Sequence, residues 1–120
     1  MRQQRAEESL EPVLHRIFKR LKNWSVIWGY TTLPRTLNIE FMSSEDSDMG
    51  RCHFASNTLY LNASLLDPEK ELILLETLCH EAAHWMAFRR YGLGIAPHGP
   101  EWEGYMRKAG FEPRECMSFK

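Results

Sequence analysis

The chain has 120 residues and a mass of 14.1 kDa, the size of one domain of about 100–150 residues, and a single domain over 1–120 is expected. Its 43% hydrophobic and 26% charged residues exclude a disordered composition, and its net charge of −1 excludes an overall polycation built for nucleic acid. Three cysteines, Cys52, Cys79 and Cys116, form no C-x-x-C pair. That excludes a disulfide scaffold or a Cys-rich zinc ribbon in these residues and fits a reducing cytoplasm.

Residues 1–8 lead into no apolar secretory core and are expected to be flexible. Residues 9–22 predict an amphipathic helix: Leu10, Val13, Leu14, Ile17, Phe18 and Leu21 recur at helical spacing, while Arg16, Lys19, Arg20 and Lys22 fall mostly elsewhere. Pro12 is expected in its first turn, where a missing N–H is tolerated. Beyond a turn at Pro34, residues 36–41 alternate Leu37, Ile39 and Phe41 with Thr36, Asn38 and Glu40, as a half-buried strand does. Residues 57–62 alternate likewise around Leu59 and Leu61, and residues 51–55 are a third candidate strand. Between the first strand and residues 51–55, residues 43–48 are polar enough for a loop.

Asp67-Pro68 predicts the start of a second helix, and Gly92 with Gly94 its end after Tyr91. A third helix is expected over residues 100–109, with Glu101 and Glu103 in its positive first turn. Helices and strands do not alternate regularly, so the expected class is α+β, with a small, mainly antiparallel three-stranded sheet. The longest apolar runs, 72–75 and 85–88, are far below the ~20 residues that cross a bilayer. Charge is uneven: +3 over residues 1–40, −5 over 41–80 and +1 over 81–120. The basic first helix is the best local candidate for phosphate contact and DNA association.

The second helix contains His80-Glu81-Ala82-Ala83-His84. Residues four apart share a helix face, so His80 and His84 can present two imidazoles to one ion. Glu81 lies about 100° around the axis, close enough to act as a base for water without being a ligand. Leu72, Ile73, Leu74, Leu75, Leu78, Trp85, Met86 and Phe88 make this helix apolar on nearly every side. Burying two histidines and a glutamate there costs about 1–3 kcal/mol per unsatisfied group, a cost that a bound metal offsets. Ala82 and Ala83 add little bulk and are expected to leave room for substrate.

A catalytic zinc site needs a third ligand. Ala87 and Arg90 stand where a metzincin needs glycine and histidine, so that subclass is excluded. His98 is the first candidate, because the seven residues after Tyr91 span roughly 20 Å and can return to the ion. Glu101 is the second.

His80-Glu81-x-x-His84 followed by His98-Gly99-Pro100-Glu101-Trp102 resembles the SprT-like zinc metalloproteases. Leu59-Tyr60-Leu61-Asn62, Leu65-Leu66 and Leu75-Glu76-Thr77-Leu78 fit the same layout, and the likeness extends over residues 10–113. The resemblance implies a zincin-like metalloprotease core with Zn2+ held by His80, His84 and His98, and Glu81 as catalytic base. It further implies peptide-bond hydrolysis, with DNA-associated or DNA-crosslinked proteins as substrates and a nuclear or nucleoid-associated location as an alternative to the cytoplasm. A non-catalytic zinc-binding adaptor, or a DNA-associated module with a structural metal site, is the competing reading.

Other residues carry plainer expectations. Tyr105 is read as packing before oxyanion stabilisation, Cys79 as a buried thiol, and His15 and His53 as surface or packing residues. Trp24, Trp28 and Tyr30 are expected to close the core between the first helix and the sheet, with base stacking as the alternative. An edge strand at residues 51–55 would let an extended peptide pair across the metal cleft.

Overall fold

The structure is a computed structural model that describes residues 2–114, with side chains from Leu10 onward. Cys116 lies outside the described residues. Four helices and three strands follow in the order α1 (Arg2–Trp28), α2 (Leu33–Thr36), β1 (Asn38–Met42), β2 (Gly50–His53), β3 (Thr58–Asn62), α3 (Glu71–Tyr91) and α4 (Pro100–Lys108). This is the expected α+β arrangement.

Helix α1 is longer at both ends than its apolar spacing predicted. Gln3, Gln4, Arg5, Ala6 and Glu7 are good helix formers, so the helix starts at Arg2. Pro12 therefore sits inside it and removes one intrahelical hydrogen bond, with its ring exposed. At the other end Trp24 and Trp28 continue the stripe begun by Ile17 and Leu21, and all four are buried. Gly29, at φ 76°, ends the helix in a left-handed turn, and the Tyr30 amide returns to the Ser25 carbonyl at 2.8 Å. The two tryptophans pack on the C-terminal part of the chain instead of the sheet: Trp24 meets Phe111, and Trp28 meets Tyr105 edge-on. Burial removes both rings from any base-stacking surface.

The predicted first strand loses Thr36 to α2, where Pro34 presets a helical φ, and Leu37 caps that helix. The sheet order is β1-β3-β2, with β1 parallel to β3 and β2 antiparallel to it. It is thus mixed and not mainly antiparallel. The loop over residues 43–49 carries the chain past the end of β3, so β1 and β2 flank β3 and do not form a hairpin. Asn62, fully buried at the end of β3, holds that loop: its Nδ2 donates to the carbonyls of Asp46 (3.1 Å) and Asp48 (3.0 Å), and its amide donates to Met49 (2.8 Å). Asn62→Ala is expected to cost about 1–3 kcal/mol in urea unfolding, with faster amide exchange across residues 43–49. The return from β2 to β3 uses Asn57 at φ 53°, a conformation asparagine tolerates well.

Asp67 caps a short 3-10 turn by accepting from the Glu69 amide at 3.0 Å, and α3 follows from Glu71. Every residue from Thr77 to Ala87 is buried, as the apolar character of this helix required. Helix α3 packs on β2, β3, α1 and α4, so the motif it carries lies at the centre of the fold. Ala82 and Ala83 are fully buried, so their small size serves close packing and not substrate room. No helix among the described residues is long and apolar enough to cross a membrane.

Candidate metal centre

His80 and His84 stand one turn apart on α3, and His98 arrives from the segment between α3 and α4. The chain leaves α3 at Gly92 (φ 89°) and turns again where the Gly99 amide meets the Ala96 carbonyl at 3.1 Å. His98 Nε2 lies 3.1 Å from His84 Nε2 and 3.3 Å from His80 Nε2. The three residues form a group whose ligand atoms all lie within 4.8 Å of one another, suited to hold a metal ion. Glu101, the other candidate, is not in that group and occupies the first turn of α4.

The electrostatics favour neutral imidazoles. Burial, followed by the nearby His98, pushes His80 down to about 4. Burial, then His80 and His98, pushes His84 down to about 3. Neutral imidazole is the ligating form. The Nδ1 atoms of His80 and His84 are buried without a hydrogen-bond partner among the described residues. The backbone at Arg114 and Pro97 raises the two rings' basicity without closing a hydrogen bond to those atoms. An ion bound at the three ring nitrogens would offset part of the cost of burying these imidazoles.

These shifts fix the sign of a pH dependence for the metal-free chain. Between the unfolded histidine value of 6.5 and the folded values of about 4 and 3, the unfolded chain binds more protons, so stability falls as pH falls. Glu81 acts oppositely: burial, then Asp48, lifts it from 4.5 to about 8, so its contribution improves on acidification through that window. With Glu81→Gln removing the opposing group, the melting temperature of the metal-free protein is expected to drop between pH 6.5 and 4.

Glu81 is buried beside the histidines, and with His84, Arg51, Cys52, Phe88 and Pro97 it lines an open cleft of about 310 Å3. Cys52 is pushed up to about 12 by burial, and its thiol stays protonated. Cys79 is fully buried and also raised, as a structural thiol should be. His15 and His53 are exposed and outside the metal group. Tyr105 is a packing residue, 5.6 Å from the Trp28 ring and accepting the Trp28 Nε1 hydrogen bond on its carbonyl at 2.9 Å.

Trp102 was assigned no role by the sequence. Its ring is 4.8 Å from those of His80 and His98 and stacks on His84 at 5.5 Å, and its Nε1 donates to the His80 carbonyl at 3.1 Å. It braces all three histidines at once. The available signal was a tryptophan in the first turn of a helix directly after the third candidate ligand, since a buried indole N–H needs an acceptor.

A buried HExxH helix over a small sheet, with a third histidine folded back onto it, defines a zincin-like core. The SprT-like family model matches residues 13–118, and the chain belongs to the SprT-like family. Protein SprT of Pseudomonas paraeruginosa (strain PA7) is 37% identical over 71 residues, covering 58% of this chain and 43% of that protein. Protein SprT of Pseudomonas fluorescens (strain Pf0-1) is 40% identical over 72 residues, covering 59% and 44%. The matched stretch thus spans less than half the length of these relatives. No solved structure matches the chain.

Proposed function

We propose that the protein is a zinc-dependent endopeptidase in which His80, His84 and His98 hold the ion and Glu81 is the general base. The observation that carries this reading is the pair of Nε2 separations, 3.1 and 3.3 Å. A tetrahedral ion with metal–nitrogen bonds of about 2.0–2.1 Å places its ligand nitrogens about 3.3–3.4 Å apart. Two of the three ligand separations therefore match a tetrahedral zinc site. When bound, zinc supplies Lewis acidity, lowering the pKa of a water ligand toward ~7 and polarising a carbonyl.

The chain's own residues do the rest. Glu81 faces the cleft beside His84 and is buried, so its carboxylate takes the proton of the attacking water and delivers it to the leaving amine. An adjacent cation favours its ionised form, opposing the rise that burial causes. Trp102 fixes the ring positions of the three histidines. Strand β2 lies at the sheet edge, next to the cleft that Arg51 and Cys52 help to line, so an extended peptide can add to it beside Glu81. A structural zinc site has no use for such a base, which favours the enzyme over an adaptor.

Substrates are proposed to be proteins associated with DNA, in the cytoplasm or at the nucleoid. Lys19 and Lys22, exposed on α1, are the available phosphate contacts, whereas Arg16 is engaged by Glu71 at 2.6 Å. The test is hydrolysis of a denatured protein by the zinc-loaded and the chelated chain, each with and without single-stranded DNA. The expected result is cleavage with zinc alone and faster cleavage when substrate and enzyme share DNA. Equal, negligible cleavage in all four conditions would overturn the reading.

A further inference from the structure

Strand β2 begins at Gly50, opposite Leu61 of β3, and its backbone lies directly against helix α3. A Cβ built on Gly50 would stand 2.8 Å from Thr77 Cγ2, 2.9 Å from Glu81 Oε2 and 3.0 Å from Glu81 Cγ. The Gly50 φ lies outside the left-handed region, so glycine is not required there for backbone conformation. What it provides is space. We propose that Gly50 is a positioning residue for Glu81: the absent side chain forms the recess that seats the Glu81 carboxylate, and any larger residue drives that carboxylate from its place.

The other sides of the contact are restrained. The segment before Gly50 is tied to Asn62 and, at its exposed face, to Arg51. Asn62 binds the Asp46 and Asp48 carbonyls and the Met49 carbonyl, and Arg51 binds the carboxylates of Asp48 and Asp46 at 2.8 Å each. Moving the Thr77 methyl aside would strain the bond that its hydroxyl donates to the Ile73 carbonyl at 2.7 Å. Glu81 is the group with torsions to spare, and its way out leads into the cleft it lines with His84 and Cys52. An added methyl at residue 50 would thus act on the proposed base while leaving the three histidines in place.

The catalytic consequence rests on the peptidase reading above, but the contact is measurable without it. Urea unfolding of the metal-free chain gives a double-mutant cycle between Gly50→Ala and Glu81→Ala, made in a Thr77→Ser background to remove the methyl contact. Gly50→Ala is expected to lower the unfolding midpoint when Glu81 is present, and by less than half as much when Glu81 is alanine. Equal shifts in both backgrounds would overturn the proposal, as would failure of Gly50→Ala to fold in both. In the zinc-loaded chain, Gly50→Ala is expected to keep its metal and its KM within twofold while kcat falls about 10- to 100-fold, the usual cost of a misplaced group. Coupling in the unfolding cycle with an unchanged kcat would also overturn it. A wild-type chain without hydrolysis would sink the peptidase reading alone, and the unfolding cycle would still decide the contact.

Discussion

Glu81→Gln is expected to lower kcat for peptide hydrolysis by about 10²–10⁴-fold, the range supplied by a positioned general base. Glutamine keeps the volume and the buried position of the side chain, which is 7% exposed, but cannot accept a proton at neutral pH. Because Glu81 is outside the three-histidine group, zinc content should remain at one per chain. Steady-state kinetics on a denatured protein substrate, paired with metal analysis of the same sample, checks both halves. Retained zinc with lost turnover is the predicted result. Unchanged turnover would remove Glu81 from proton transfer, and loss of zinc would make it a ligand.

The second large effect is structural. Trp102→Ala is expected to destabilise the metal-free chain by about 3–5 kcal/mol, as truncation of a fully buried tryptophan does. Trp102 is 1% exposed, and its removal opens a void against all three histidine rings and frees the His80 carbonyl from the indole N–H. Zinc affinity should fall as well, by about 10- to 100-fold, because groups behind the ligands hold them in register. Urea unfolding and a zinc titration measure the two effects. Trp102→Phe should recover much of the stability through ring packing and less of the affinity, since it lacks the N–H that reaches His80.

How much of this was legible in the sequence depends on how far each signal acts. His80, Glu81 and His84 were readable because helical geometry turns their spacing into a shared position, and eleven consecutive buried residues around them follow from the apolar run. His98 followed from chain reach, and the structure places it against both helix histidines. The sheet order was not readable. Alternation at Ile39, Phe41, Leu59 and Leu61 assigns faces but not neighbours, and contacts such as those of Asn62 with a loop 14 and 16 residues away have no local signature. The start of α1 departs from its reading for a local reason: Pro12 looks like a first-turn residue until the helix formers before it are counted. The spatial roles of Trp102 and Gly50 were invisible for the same physical reason as the strand order. Both act on groups brought to them only by the fold.

The central claim is that His80, His84 and His98 form one metal centre. Zinc content and affinity of wild type against His98→Ala, handled identically and measured by metal analysis and competition with a chelator, test it most directly. One zinc per wild-type chain, with affinity falling by several orders of magnitude in His98→Ala, is the predicted result. Equal zinc content and affinity in the two proteins would contradict it.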